Sequence, residues 1–193
     1  MKAVIFDLDG VIVSTDELQY RAWKRMADRE GIPFDRKINN RLRGVSRSDS
    51  LAIILENSSK IYDDHQKTEL MKYKNDFYVK LLDGLTHSDI LPNVMALLKR
   101  LRSGGVSNAF DAVADGTEIK RSKPDPEVFL AAAAKLYEKP ENCIVVEDAA
   151  AGIQAAKAGN MTAIGVSDAR NSELADYRVN DILQVAEIVK KLS

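Results

Sequence analysis

The chain has 193 residues, a formal net charge of −1 and an apolar fraction of 45%. The near-neutral charge argues against a nucleic-acid-binding protein, which usually carries a clear basic excess, and the apolar fraction argues against intrinsic disorder. There is no apolar run of membrane-spanning length, no signal-peptide pattern at the N-terminus and a single cysteine, so we expect a cytoplasmic protein with neither a nucleic-acid nor a membrane partner.

The first predicted element is a strand at residues 3–6, a wholly apolar run of the kind that is buried on both faces in parallel sheets. The next part of the chain contains no convincing strand and instead shows helical patterns at 16–30, 48–56 and 63–82. We therefore predict an all-helical domain at residues 16–87, inserted into a core made of residues 1–15 and 88–193.

Strand and helix patterns alternate in the rest of the chain. Helices are predicted at 92–102, 126–137, 149–158 and 182–192. Apolar runs at 143–146 and 162–166 predict two more buried strands, and 110–114 is a weaker candidate. This alternation predicts an α/β fold whose core is a Rossmann-like parallel sheet.

Acidic residues follow two of the predicted strands directly. Asp7 and Asp9 come after the first strand, with Gly10 allowing a sharp turn, and Glu147 and Asp148 come after the 143–146 run. Ligands of open α/β sheets bind at the carboxyl ends of the strands, and clustered carboxylates repel one another unless a cation lies between them. The four residues therefore predict a Mg²⁺ site, whereas strand-end carboxylates that merely cap helices are the structural alternative.

A lysine lies on a constrained loop, in the segment Arg121-Ser122-Lys123-Pro124-Asp125-Pro126. Beside the carboxylates, Lys123 would neutralise part of their charge and hold an anionic group near the metal. Taken alone, a solvated loop lysine is the more common explanation for such a residue.

These segments together resemble a known family. Asp-Leu-Asp-Gly-Val at 7–11, Ser-Lys-Pro-Asp-Pro at 122–126 and Glu-Asp-Ala-Ala-Ala-Gly-Ile at 147–153 resemble the motifs of the haloacid dehalogenase superfamily of phosphohydrolases and mutases. The resemblance is strongest to its β-phosphoglucomutase-like branch, and the helical insert is similar to the cap domain found there.

The resemblance implies a role for each residue of the carboxylate cluster. Asp7 would be the nucleophile that forms an aspartyl phosphate, and Asp9 the general acid and base that serves the sugar hydroxyl. Lys123 would stabilise charge on the transferring phosphoryl group. Mg²⁺ would be held by Asp7, the main-chain carbonyl of Asp9 and Asp148, with Glu147 nearby.

The same resemblance assigns substrate contacts to the cap and its hinge, at Thr15, Gln19, Trp23, Arg43, Gly44, Val45, Ser46, Arg47 and Lys74. Arg47 would grip the phosphate that is not reacting, because a guanidinium matches phosphate oxygens in bidentate geometry. Residues 12–16 and 87–91 would be the hinge segments that close the cap and exclude water. The implied activity is the interconversion of β-glucose 1-phosphate and glucose 6-phosphate through a bisphosphate intermediate, in a monomeric enzyme.

The chain departs from the family pattern at two places. Gln19 stands where family members usually have histidine, and glutamine can form hydrogen bonds but does not titrate near neutral pH. After residues 101–105 the family has a strand, a serine-rich phosphate loop and a helix, whereas this chain passes almost directly to residues 106–110. We therefore expect a gap beside the first strand.

Three other functions compete with the mutase. A sugar-phosphate phosphatase of the same superfamily would use the same core, but Arg43, Arg47 and Lys74 favour a substrate with a second phosphate. A phospho-receiver signalling domain also combines acidic residues, Mg²⁺ and lysine, but needs neither a helical cap nor a nucleophile on the first strand. A protein that has lost catalysis with the missing segment is the third alternative.

Overall fold

A sheet of four parallel strands lies at the centre of the computed structural model, which describes residues 3–42, 45–102, 109–114 and 119–192. In sheet order the strands are β1 (Ala3–Phe6), β2 (Cys143–Glu147), β3 (Thr162–Gly165) and β4 (Tyr177–Arg178). All three pairings are parallel. The predicted α/β class with a parallel sheet is confirmed.

Eight α-helices occur in the described part of the chain: α1 (Asp16–Glu30), α2 (Arg36–Asn40), α3 (Arg47–Leu55), α4 (Asp64–Leu82), α5 (Val94–Leu101), α6 (Glu127–Lys135), α7 (Ala150–Ala158) and α8 (Gln184–Leu192). The sequence patterns predicted all of them except the short α2. Helix α1 ends as predicted at Gly31, whose φ of 70° lies in the left-handed region that glycine adopts without strain. Helix α5 begins two residues later than predicted, after Asn93, which has a φ of 67°.

The chain divides into two compact units. The core unit consists of Met1–Ser14 and Ile90–Ser193, and the helical unit of Thr15–Asp89. The helical unit contains α1 to α4, and its apolar centre includes Trp23 and Ile54. None of the described helices is both long and apolar enough to cross a membrane.

Strand β2 is buried along its whole length and separates two apolar clusters. Cys143 and Val145 belong to one cluster, and Ile144 and Val146 to the other, as the alternation of side chains along a strand requires. The cysteine is therefore a core residue, as its place in an apolar run predicts. Helices cover both faces of the sheet, which explains why the strands are apolar without alternation.

Within the described residues, β1 pairs only with β2. The predicted weak strand at 110–114 is wrong, because residues 109–114 form no strand. Instead the ring of Phe110 packs edge-on against Phe6, with 6.4 Å between centroids, and the Lys135 ammonium donates to the Val113 carbonyl at 2.6 Å. Residues 109–114 are therefore held by a ring contact with β1 and by a hydrogen bond from α6, and not by strand pairing.

The chain leaves and re-enters the core unit at two adjacent points. Val13 and Ile90 form an antiparallel bridge, and the Leu91 amide donates to the Ile12 carbonyl at 2.9 Å. The two connections to the helical unit are therefore tied together by main-chain hydrogen bonds inside the core unit.

Candidate active site

The register of the first two strands brings acidic residues together. Phe6 pairs with Val146, so the residue after each, Asp7 and Glu147, emerges at the same carboxyl edge of the sheet. The Asp7 amide donates to the Val146 carbonyl at 3.0 Å, which extends the ladder to the first carboxylate. The backbone thus places two carboxylates side by side, at the edge where ligands of open α/β sheets bind.

Glu147 is a carboxylate with almost no access to solvent, since the residue is 1% exposed. Its Oε1 accepts from the Lys123 ammonium, and its Oε2 accepts from the main-chain amides of Asp148 at 2.7 Å and Ala149 at 3.3 Å. Burial and the neighbouring Asp7 charge raise the pKa of Glu147, and Lys123 opposes that rise. Gly152, on α7, makes room for the side chain, because a Cβ there would lie 1.8 Å from Glu147 Oε1.

Lys123 bridges two of the carboxylates. Its Nζ donates to Asp7 Oδ1 at 2.7 Å as well as to Glu147, and it lies 4.9 Å from the ring centre of Phe129. Burial lowers the pKa of Lys123, but the charges of Asp7 and Glu147 outweigh burial and raise it above its ordinary value. The lysine is therefore a fixed cation of the site and not a solvated loop residue.

Asp148 completes a compact acidic cluster. Carboxylate oxygens of Asp7, Glu147 and Asp148 all lie within 4.8 Å of one another. Burial, then the charges of Glu147 and Asp7, raise the pKa of Asp148 to about 7. Gly10, with a φ of 76°, passes so close that a Cβ there would lie 2.0 Å from Asp148 Oδ2. A glycine is thus required at this turn by both backbone conformation and space.

The donor set fits a hard divalent cation. The three clustered carboxylates carry more negative charge than Lys123 offsets, and burial together with the charges of Glu147 and Asp7 raises the pKa of Asp148. Among the described residues, the Asp9 carboxylate is not part of the cluster, although its charge also raises the pKa of Asp148. The predicted contribution of Asp9 to metal binding is its main-chain carbonyl, which does not require the side chain to join the cluster.

A second polar centre lies inside the helical unit. Lys74 is 4% exposed, and its ammonium donates to Gln19 Oε1 and lies 4.8 Å from the ring centre of Trp23 and 4.7 Å from that of Tyr78. Thr15 precedes α1 at the N-cap position but makes no side-chain capping bond, and its hydroxyl is 2.9 Å from the Tyr78 hydroxyl. The structure thus brings together four of the residues that were predicted to contact the substrate: Thr15, Gln19, Trp23 and Lys74.

The remaining predicted substrate residues lie around the start of α3. Ser46 is the N-cap, and its hydroxyl accepts from the Asp49 amide at 3.2 Å. Arg47 is the exposed first residue of the helix, and Val45 is half-buried just before the cap. Arg43 and Gly44 lie outside the residues that the structure describes.

Three residues of these centres were missed in the sequence. Gly152 stands in the Glu-Asp-Ala-Ala-Ala-Gly-Ile segment, where a glycine within a helical pattern was the available signal. Phe129 supplies the ring beneath Lys123, and Tyr78 follows Lys74 by four residues, so that both lie on one face of α4. An aromatic residue at helical spacing gives no local sign that its ring faces a lysine.

Comparison with known proteins identifies the family. The family model of the haloacid dehalogenase-like hydrolases matches residues 1–160. The chain is 42% identical over 201 residues to a β-phosphoglucomutase of Bacillus subtilis (strain 168), with 93% of this chain and 89% of that protein covered. It is 32% identical over 182 residues to a phosphorylated carbohydrates phosphatase of Thermotoga maritima, with 85% and 84% covered.

The first of these alignments bears on the length of the chain. It extends over 201 residues, which is more than the 193 residues of this chain, so it includes positions that this chain lacks.

A solved structure agrees with the sequence relatives. The β-phosphoglucomutase (pgmB) from Clostridium difficile is 37% identical and superimposes with a TM-score of 0.84, covering 99% of this chain and 96% of that one. The family model covers most of the chain, and a relative of 42% identity covers 93% of it. The chain therefore belongs to the haloacid dehalogenase-like hydrolase family.

Proposed function

We propose that this chain is a Mg²⁺-dependent phosphomutase that interconverts β-glucose 1-phosphate and glucose 6-phosphate. The observation that carries the proposal is the convergence of Asp7, Lys123 and Asp148 at one edge of the sheet, in a chain 42% identical to a β-phosphoglucomutase. A nucleophilic carboxylate beside a fixed ammonium and a further carboxylate is the equipment that phosphoryl transfer through an aspartyl phosphate needs.

The residues that would hold Mg²⁺ are Asp7 and Asp148, with the Asp9 main-chain carbonyl. Glu147 accepts three hydrogen bonds, so its main contribution is negative charge and the placement of Lys123. A bound Mg²⁺ supplies positive charge that lets a phosphate dianion approach a carboxylate. The excess negative charge of the cluster supports this assignment.

In the proposed transfer, an Asp7 carboxylate oxygen attacks phosphorus, and the bond from phosphorus to the donor oxygen breaks as the new bond forms. Lys123 already donates to Asp7 Oδ1, so its charge lies beside the attacking carboxylate. Asp9 protonates the departing sugar oxygen. In the half-reaction that forms the bisphosphate, Asp9 removes the proton of the free hydroxyl of a sugar monophosphate; that oxygen bonds to the phosphorus of the aspartyl phosphate, and the bond from phosphorus to the Asp7 oxygen breaks.

A bisphosphate intermediate has a second phosphate, which cannot occupy the place that the reacting phosphate takes beside Asp7 and Lys123. We assign that phosphate to cations of the helical unit, Arg47 above all, with Arg43 and Lys74. Arg47 is an exposed guanidinium at the first turn of α3, where the helix dipole also favours an anion.

A sugar-phosphate phosphatase is the second candidate, because the T. maritima phosphatase is 32% identical over 85% of the chain. Gln19, in place of the usual histidine, favours this alternative, since a weaker coupling of cap closure to the acid and base would admit water. The two functions share the aspartyl phosphate and differ in whether a sugar or water accepts the phosphoryl group.

One assay separates these functions. The protein is incubated with Mg²⁺, β-glucose 1-phosphate and a trace of β-glucose 1,6-bisphosphate, and glucose 6-phosphate and free phosphate are measured together. The mutase predicts that glucose 6-phosphate exceeds phosphate, and the phosphatase predicts the reverse. If neither product forms, and mass spectrometry finds no phosphoryl group on the peptide that contains Asp7, both proposals fail.

Arg47→Ala tests the second-phosphate assignment. Loss of a charge-assisted contact of this kind costs on the order of 2–4 kcal/mol, so isomerisation should fall about thirty- to a thousandfold. Hydrolysis of acetyl phosphate, which has no second phosphate, should fall much less. Lys80→Gln, which removes another exposed cation of the helical unit, is the control; an equal fall of both activities in Arg47→Ala would mean that Arg47 supports folding.

A further inference from the structure

Helix α1 carries a row of exposed arginines on one face. Arg21, Arg25 and Arg29 follow one another at intervals of four residues, a spacing at which like charges on a helix repel. The Arg25 guanidinium lies 4.2 Å above the centre of the Phe77 ring, and that of Arg29 lies 4.4 Å above Tyr73. Arg29 also forms an ion pair with Glu30 at 3.8 Å, so the cations of the row that an anion could neutralise are Arg21 and Arg25.

An open groove of about 350 Å³ lies along this row. It is lined by Tyr20, Arg21, Lys24, Arg25, Asp28 and Phe77. All six residues belong to the helical unit.

The charges of the groove do not cancel. Lys24 and Asp28 form an ion pair with each other and so contribute no net charge. Neither Arg21 nor Arg25 has a carboxylate within ion-pair distance in the part of the chain that the structure describes. The groove therefore has two guanidinium charges in excess, which equals the charge of a phosphate monoester dianion.

Arg25 is held in position for binding. Its Nε donates to the Tyr73 hydroxyl at 3.2 Å, and one face of its guanidinium rests on Phe77. A guanidinium held on one face and at Nε has its terminal N–H groups at a defined place, which reduces the entropy lost when they bind phosphate oxygens. Arg21 lies one helical turn away and supplies the second fork.

We propose that this groove binds the phosphate group of a phosphate monoester, with Arg21 and Arg25 as its two cations. Gln19 and Trp23, which are among the residues assigned to the substrate, lie on the inward face of α1 and do not line the groove. The site is therefore additional to the proposed catalytic one, and it does not depend on the proposed function.

Titration followed by NMR of the arginine Nε–H groups tests the site in the 193-residue chain. Asp7→Asn is used without Mg²⁺ so that no turnover occurs, and the probes are glucose 6-phosphate and AMP, with glucose and adenosine as uncharged controls. We expect both phosphate esters, and neither control, to shift the Arg21 and Arg25 resonances in a saturable way. Tighter binding of AMP would identify a nucleotide as the source of the phosphate, and tighter binding of glucose 6-phosphate a sugar phosphate.

Three variants complete the test. Arg21→Gln should raise the Kd of both esters about tenfold, as should Arg25→Gln, whereas Lys80→Gln, which removes a charge of the same unit outside the groove, should leave it unchanged. Among the described residues Arg21 makes no hydrogen bond, ion pair or ring contact, so its variant is expected to fold normally. Equal Kd values in all three variants, or equal shifts with the uncharged controls, would overturn the proposal.

Discussion

The two units of this protein bury a lysine ammonium in opposite surroundings. In the core unit, Lys123 donates to two carboxylates, and Asp148 adds a third negative group to the same cluster. In the helical unit, Lys74 lies against the neutral amide oxygen of Gln19 and the rings of Trp23 and Tyr78.

The two centres differ in the negative charge that surrounds the lysine. The carboxylates around Lys123 outnumber it, so the core centre retains negative charge that attracts a divalent cation. Gln19, Trp23 and Tyr78 offer the Lys74 ammonium an amide oxygen and two ring faces, contacts that bring no negative charge.

Asp7→Asn, a change in the core centre, should have the largest effect on activity. An amide cannot act as the nucleophile, so we expect turnover to fall by more than about a thousandfold, or ~4 kcal/mol of barrier. Steady-state assays with β-glucose 1-phosphate measure the loss. Asp83→Asn, an exposed change in the helical unit, should keep full activity. Retention of more than about a tenth of the activity in Asp7→Asn would exclude Asp7 as the nucleophile.

Two glycines, one in each unit, test how closely the backbone packs against the core centre. In Gly152→Ala the new Cβ would lie 1.8 Å from Glu147 Oε1, whereas in Gly84→Ala the nearest atom, the Leu81 carbonyl oxygen, is 3.4 Å away. We expect the first change to lower the free energy of unfolding by about 1–3 kcal/mol and the second by less than about 0.5 kcal/mol, in urea titrations. Gly152→Ala should also reduce turnover, because Glu147 positions Lys123; equal stabilities of the two variants would contradict the close approach.

Mg²⁺ should stabilise the wild-type protein through the core unit. At a Mg²⁺ concentration one hundred times Kd, the free energy of unfolding should rise by about 2.7 kcal/mol. Thermal unfolding with and without Mg²⁺ measures this as a higher Tm. Asp148→Asn should lose most of this increase, and Asp83→Asn none. An unchanged Mg²⁺ response in Asp148→Asn would remove Asp148 from the metal site.

The Asp148 carboxyl makes the stabilisation by Mg²⁺ depend on pH. Burial, Glu147 and Asp7 raise the pKa of Asp148 to about 7, so the folded protein binds a proton more tightly than the unfolded chain. Without metal, stability should therefore fall as pH rises from about 4 to 7. Protons compete with Mg²⁺ for this group, so the rise in Tm should be larger near pH 8 than near pH 5.5.

The smallest predicted effect concerns an ion pair that ties α7 to β3 and β4. Asp176 accepts from Lys157 at 2.8 and 2.7 Å and from the Ala163 amide at 2.8 Å. Burial tends to raise the pKa of Asp176, but these hydrogen bonds and the lysine charge outweigh it and lower the pKa. The stabilisation is therefore present above the unfolded pKa and disappears as pH falls through the folded one.

Asp176→Asn should lower the free energy of unfolding by about 1 kcal/mol at neutral pH, after allowance for the partial exposure of the pair, and by almost nothing near pH 2. Urea titrations at both values measure the difference. Asp76→Asn breaks the exposed Lys72–Asp76 pair of the helical unit and should change stability less. A loss of equal size at both pH values would show that Asp176 acts through packing and not through its charge.

Local patterns were sufficient to predict β1, β2, β3 and the acidic residues, but not the two-residue β4. The apolar runs of β1, β2 and β3 stand apart from their flanks, and Asp7, Glu147 and Asp148 follow two of them directly. A run of buried residues that ends in a carboxylate is visible without any knowledge of its neighbours. The same reasoning failed at 110–114, since a short apolar run does not reveal whether a partner strand is available to it.

The residues that sequence analysis missed are those whose role depends on distant contacts. Phe129 acts on Lys123 through its ring face, Gly152 through the space it leaves for Glu147, and Tyr78 through Thr15, which is 63 positions away. No sequence pattern indicates which ring face or which empty space a residue will provide, because these features form only when the helices and strands pack together.

What the sequence determined by itself was the set of charged groups and their positions at the ends of buried strands, because hydrophobic burial and chain reversal are local requirements. Only the tertiary structure decided their pairing. Hydrogen bonds between β1 and β2 set the register that places Phe6 opposite Val146, and folding brings Lys123 to Asp7 across 116 positions of the chain. The carboxylates form one centre because Lys123, which lies 24 positions from Glu147 along the chain, and the neighbouring main-chain amides of Asp148 and Ala149 offset their repulsion.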